Sequence, residues 1–163
     1  VTLDQLMQVK GIGLVKAVKL KAIAELSRRM AVARVEKDAV FRNPQVVAQA
    51  YMERLRHLEK EYCIALYLDT KDSRIKDVEL SIGNINSSIM SARELFRQAL
   101  LCNAASVIIM HNHPSGDPSP SREDLLLTER IGQAAAVMEI PLLDHIIIGD
   151  NTCLLYTSPS PRD

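Results

Sequence analysis

His111 and His113 stand one residue apart at the end of an apolar run, residues 104–110, rich in Val and Ile. A run this short reads as a buried strand. Side chains at i and i+2 of an extended chain point to the same side, so the two imidazoles aim at one point. A loop of Pro, Ser, Gly and Asp follows over residues 114–120, and a helix opens near Ser121. Asp124 falls in its first turn, from which a carboxylate can turn back toward the histidines. Two imidazoles and one carboxylate leave one position open on a tetrahedral zinc, the catalytic rather than the closed structural pattern. Ser121 and Asp124 also fit a capping box, as N-cap and N3, and capping does not exclude ligation.

Elements that can carry this group are readable on both sides of it. Asn43 and Pro44 begin a helix as N-cap and N1, running to about Leu58, with a charged, solvated face on which His57 has no evident partner. Residues 61–69 form a strand, and a second over 75–82 pairs with it as a hairpin. Ser91 and Glu94 open another helix with a capping-box pattern, ending near Leu101. After the loop, a helix to Met138 uses Leu125, Leu126, Ile131, Ala134 and Val137 as its apolar positions. Pro141 precedes a strand over 142–148. Within it His145 is a fourth ligand candidate, although a buried histidine hydrogen-bonded to a neighbour explains it more simply. Strands alternating with helices give a mixed α/β fold.

The 163 residues suffice for one medium domain and a small appendage. Aromatic residues are only 4%, so the core is aliphatic. The net charge is zero, but residues 1–34 hold seven basic and two acidic side chains, which makes the remainder net acidic. A basic module beside an acidic one points to a polyanion partner for the first alone. Within it, Thr2 and Gln5 fit a capping box on a short helix to about Val9. Gly11 and Gly13 make a tight turn, and a second helix runs from Leu14 to about Met30, with Val15, Val18, Leu20, Ile23 and Leu26 as its apolar positions. Residues 35–42 read as a linker. Three cysteines without a CxxC pair make a reducing cytoplasm the default. No apolar run approaches the roughly 20 residues of a membrane span. The chain starts at Val1 without Met and reads as a fragment.

The string from His111 to Asp124 resembles the JAMM (MPN+) metalloprotease signature, His-x-His, seven residues, Ser-x-x-Asp, with His111, His113, Ser121 and Asp124 at its positions. Its His-Asn-His-Pro-Ser-Gly form is similar to the RadC family in particular, over about residues 43–152. The resemblance implies a cytidine-deaminase-like sheet flanked by helices, one Zn2+ per chain, and an amide-hydrolysing activity on a peptide or isopeptide. It also implies a general base upstream, at the start of an early strand. Glu61 opens such a strand; Glu94 is the runner-up. Ser121 would hydrogen-bond the developing oxyanion.

Residues 1–34 resemble a clipped helix-hairpin-helix. That motif presents the turn at Gly11 and Gly13 to a DNA phosphate at a helix N-terminus, with Lys10 and Lys16 assisting. A plain packing hairpin is the alternative. This family has been linked to DNA repair, so a DNA-associated accessory module stands as a second functional class beside the hydrolase. Residues 153–163 lack an amphipathic pattern and look like a translated adapter, a foreign tail where the resemblance implies one more strand.

Overall fold

The computed structural model describes residues 2–36, 41, 43–82 and 91–155. Two compact units divide the chain after Lys37.

In the first unit, α1 (Leu3–Met7) starts at the expected capping box. Thr2 Oγ1 accepts the Gln5 amide at 3.2 Å, and Gln5 Oε1 accepts the Thr2 amide at 2.7 Å. The turn holds Gly11 at φ 90°, which a side chain would strain. α2 spans Leu14–Glu36, six residues beyond the expected end at Met30, so the start of the presumed linker is helical. No Gly or Pro interrupts 31–36, and nothing local stops the helix there. Residues 37–40 and 42, the rest of that linker, lie outside the described residues. Val15, Val18, Leu20, Ile23 and Leu26 are exposed in this unit, where Ala17 is buried.

The second unit is a five-stranded sheet in the order β2-β1-β3-β4-β5. It comprises α3 (Pro44–Leu55), β1 (Tyr62–Leu68), β2 (Arg74–Ile82), α4 (Ala92–Leu101), β3 (Ser106–Asn112), α5 (Arg122–Met138), β4 (Leu142–Ile148) and β5 (Cys153–Leu155). β1 runs antiparallel to both β2 and β3, β4 is parallel to β3, and β5 returns antiparallel. The parallel pair is joined through α5, the connection that parallel strands require. Asn43 caps α3 as expected, its Oδ1 accepting the Gln45 amide at 2.8 Å.

Every residue of β3 is buried, which requires cover on both faces of the sheet. One face packs Cys63, Ala65, Tyr67, Val107 and Ile109 against Leu95, Phe96 and Ala99 of α4 and Leu127, Ile131 and Ala135 of α5. The alternate side chains, Ile64, Leu66, Leu68, Ile108 and Met110, are buried too, and α3 contacts β4 and β5. The sheet with helices on it is the mixed α/β arrangement read from the sequence.

Three local expectations are corrected. α5 buries Asp124, Leu127, Ile131 and Ala135, whereas Leu125, Leu126 and Val137 are exposed. The inward stripe is set by Asp124 and continues at helical spacing from it, so its two leucine neighbours turn outward. Ser91 makes no side-chain cap bond to α4. The Glu94 carboxylate instead takes Arg97 at 2.6 and 2.8 Å and Gln98 at 3.0 Å, pairs available one turn along a helix. Last, Cys153–Leu155, expected to be structureless, pair with Ile146–Ile148 as β5. Residues 156–163 lie outside the described residues.

Candidate metal centre

β3 carries His111 as its penultimate residue and continues through Asn112, two residues beyond the expected run, and His113 follows directly. The parity argument holds: the two imidazoles meet, Nε2 to Nε2, at 3.0 Å. α5 brings Asp124 to the same point, with Oδ1 3.3 Å from His111 Nε2 and Oδ2 3.4 Å from His113 Nε2. Among the described residues these three form the group able to hold a metal ion, with donor atoms within 4.8 Å of one another.

Each donor is held from behind. His113 Nδ1 lies 2.7 Å from the Asp117 carbonyl oxygen. A carbonyl only accepts, so Nδ1 carries the proton and Nε2 presents its lone pair to the centre. The loop bearing His113 is fixed in turn by β4: the His113 amide donates to Ile148 O, and the Asp150 amide to Gly116 O, both at 2.9 Å. Gly149 permits this closeness, because a Cβ there would stand 2.3 Å from Gly116 O.

Ser121 and Asp124 form the expected capping box. Asp124 Oδ2 accepts the Ser121 amide at 2.8 Å and the Ser121 hydroxyl at 2.7 Å, while Ser121 Oγ accepts the Asp124 amide at 3.2 Å. Burial alone would raise the Asp124 carboxyl. Hydrogen bonds from His111 and Ser121 and the charge on His111 outweigh it and hold the group well below the usual carboxylate range.

The donor set fits a divalent cation. Tetrahedral bonds of about 2.0–2.2 Å put neighbouring donor atoms roughly 3.3 Å apart, and the observed separations are 3.0, 3.3 and 3.4 Å. Cys63, the register partner of His111, is not among the converging donors; burial, then the nearby Asp124 charge, push its thiol up to about 12.

His145 touches this group without belonging to it. Its Nε2 lies 2.9 Å from His111 Nδ1 and its Nδ1 2.6 Å from Thr128 Oγ1. The simpler sequence reading, a buried histidine bonded to a neighbour, is what the structure holds. Burial keeps it neutral, lowering its pKa to about 3.

Glu61 immediately precedes β1 and stands two residues before Cys63. Continuing the alternation of β1 puts it on the His111 side of the sheet, at the end where His113 emerges. Asn112, which motif reading passed over, sets this junction. Its Oδ1 accepts the Tyr62 amide at 2.8 Å, and its Nδ2 donates to Lys60 O at 3.0 Å and Leu58 O at 3.3 Å. Asn112 is fully buried, so truncation strands those backbone groups. Asn112→Ala is expected to cost about 3 kcal/mol, read as a lower urea midpoint. A midpoint equal to that of the unmodified protein would mean that water replaces the clamp at no cost. Glu94, the alternative base, stays engaged on α4; hydrogen bonds from Arg97 and Gln98 bring its carboxyl down to about 2.

In the first unit, Lys10 and Lys16 are exposed beside Gly11 and Gly13. Lys16 Nζ donates to the Gly11 carbonyl at 2.9 Å, so this ammonium folds back onto the turn.

A strand end, a pinned loop and a helix N-terminus thus define a mixed α/β domain built around a candidate metal centre. Residues 41–159 match the model of the RadC-like JAB domain, and the chain belongs to that family. It is 49% identical over 150 residues to a UPF0758 protein of Desulforamulus reducens, covering 92% of this chain and 66% of that one. It is 46% identical over 147 residues to a UPF0758 protein of Methanosarcina mazei, covering 90% and 64%. The chain therefore spans just under two thirds of the length of these relatives. Among the described residues no helix is long and apolar enough to cross a membrane.

Proposed function

We propose that this domain is a zinc-dependent peptidase or isopeptidase-like hydrolase. The observation that carries the reading is the convergence of His111 Nε2, His113 Nε2 and the Asp124 carboxylate within 3.0–3.4 Å. A divalent cation held there supplies a Lewis acid and a water of lowered pKa. Two imidazoles and a carboxylate also suit iron and manganese; zinc is proposed because the set leaves a tetrahedral site one position open. Glu61 takes the proton of the attacking water and returns it to the leaving amine. Ser121 donates to the oxyanion after its hydroxyl turns away from Asp124 Oδ2. Cys63, Cys102 and Cys153 form no disulfide, which fits a reducing compartment such as the cytoplasm. The test is a library of peptides and isopeptide-linked peptides incubated with metal-loaded protein. Cleavage lost to a chelator and restored by zinc is expected; no cleavage of any amide by fully loaded protein overturns the reading.

A second reading rests on the first unit. Lys10 and Lys16 are exposed beside a turn that Gly11 holds at φ 90°, and Lys19 and Lys21 are exposed further along α2. We propose weak, sequence-independent DNA binding through residues 1–34, fading as salt rises because phosphate contacts release counterions. Replacing Gly11 and Gly13 should abolish it. Unchanged DNA affinity after deletion of residues 1–34 makes the hairpin structural.

A further inference from the structure

His113 stands at the head of an irregular loop, and the tip between β4 and β5 is what fixes that loop. The His113 amide donates to Ile148 O, the Gly116 amide to His113 O, and the Asp150 amide to Gly116 O, each at 2.9 Å. The tip closes on itself through the Gly149 amide and Thr152 O, also at 2.9 Å. Its far side is anchored by β5, three residues at the edge of the sheet. A short edge strand opens locally at little cost, so a rigid tip needs a second hold.

α3 supplies one. Arg56 is the C-cap of that helix, and its guanidinium is shared between two partners. Nη2 donates to the Glu53 carboxylate at 2.8 and 3.1 Å, one turn back on the same helix. Nη1 donates to Asn151 Oδ1 on the tip. A guanidinium is a planar, rigid fork; gripped by α3 at one prong, it presents the other in a fixed direction. Asn151 Nδ2 is bonded to Asp150 Oδ1 at 3.3 Å, which leaves Oδ1 for Arg56. The path from α3 to the metal centre is then continuous: Arg56, Asn151, the Asp150 amide, the Gly116 carbonyl and His113.

We propose that Arg56 and Asn151 are positioning residues, a brace that holds the β4–β5 tip and through it the loop that places His113. The proposal rests on the metal-centre reading above. Neither residue is a ligand, and both lie outside the string from His111 to Asp124. None of these contacts depends on which imidazole nitrogen carries a proton. They join backbone amides to carbonyls, and a permanently charged guanidinium to an amide oxygen and a carboxylate.

Asn151 offers a clean cut. It has φ 56°, a conformation glycine adopts without strain, so Asn151→Gly removes the acceptor and spares the turn. Zinc affinity should fall about tenfold, the lower end of what losing an outer partner costs a metal ligand. Asn151→Asp keeps an oxygen opposite Arg56 and should retain the affinity. Arg56→Lys keeps the charge, but one ammonium does not reproduce the fork, and it should lose as much as Asn151→Gly. The double variant should be no worse than either single one, because both break the same contact.

The experiment pairs two measurements on the whole chain. Hydrogen exchange of the metal-free protein follows the His113, Gly116 and Asp150 amides, and competition with a chromophoric chelator reports zinc affinity. In Asn151→Gly these three amides should exchange about tenfold faster, with the urea midpoint and the exchange of β1 and β3 unchanged. Unchanged exchange and affinity in Asn151→Gly overturn the proposal. So does an Asn151→Gly protein that fails to fold, or whose urea midpoint falls with exchange rising across the whole sheet, since the contact then serves general stability. Additive losses in the double variant overturn it as well. Should Arg56→Lys fail to fold, the Gly and Asp variants at 151 still decide. An unmodified protein that binds no zinc would sink the metal reading, while faster exchange of the three amides in Asn151→Gly would still establish the brace.

Discussion

Purified protein should hold about one zinc per chain, and His113→Ala should hold none after dialysis. His113 contributes one of three protein donors, 3.0 Å from the other imidazole and 3.4 Å from the carboxylate. Its substitution also releases the Asp117 carbonyl that orients it, so both the ligand and its support go together. Asp124→Asn is a milder lesion: the amide oxygen remains near the site, but a neutral oxygen holds a cation less well than a carboxylate. Because neutral imidazoles and an ionised carboxylate are required, binding should weaken on acidification, with protons competing for the same lone pairs. Elemental analysis of metal-replete protein decides the matter. A metal-free unmodified protein, or a His113→Ala protein with undiminished zinc, would sink the centre.

Glu61→Gln should leave that zinc in place while hydrolysis drops by roughly 10²–10⁴-fold, the usual contribution of general acid–base catalysis. Glutamine keeps the size and much of the hydrogen bonding of glutamate at the mouth of β1, but cannot take a proton. The Asn112 clamp is unaffected, because it binds the backbone at 58, 60 and 62 rather than the Glu61 side chain. Glu94→Gln provides the contrast. The Glu94 carboxylate is engaged with Arg97 and Gln98 on α4, so turnover should stay nearly unchanged. Equal rates for Glu61→Gln and the unmodified enzyme, on any substrate found by library screening, would remove Glu61 from the mechanism. A large loss for Glu94→Gln would transfer the role.

What the sequence disclosed is the part of the site whose geometry is local. His-x-His on an extended chain has one outcome, and an acid three residues after an N-cap serine has another. The three donors were therefore readable without knowing the fold. The supports were not. His145 lies 34 residues from His111, and Asn112 lies 50 residues from Tyr62; only the strand order brings either pair together. The face of α5 was misread because Leu125 and Leu126 carry more hydrophobicity than Asp124, yet the buried acid sets the helix rotation. At α4 the capping pattern of Ser91 and Glu94 lost to pairs one turn further along. Cys153–Leu155 joined the sheet because β4 offers an edge, a tertiary circumstance with no local signature.

Asp124 holds three posts at once: N3 of the α5 cap, a donor to the centre, and the carbonyl that receives Thr128. Fraying of the first turn of α5 and release of a cation are consequently one event. At a free cation concentration 1,000 times Kd, loading should deepen the local opening free energy by about 4 kcal/mol. The amides of Asp124 and Leu125, which donate to Ser121 Oγ and Ser121 O at 3.2 Å, should then exchange with deuterium roughly a thousand times more slowly. A single helical turn thereby becomes an internal gauge of occupancy, legible by hydrogen exchange without any substrate in hand.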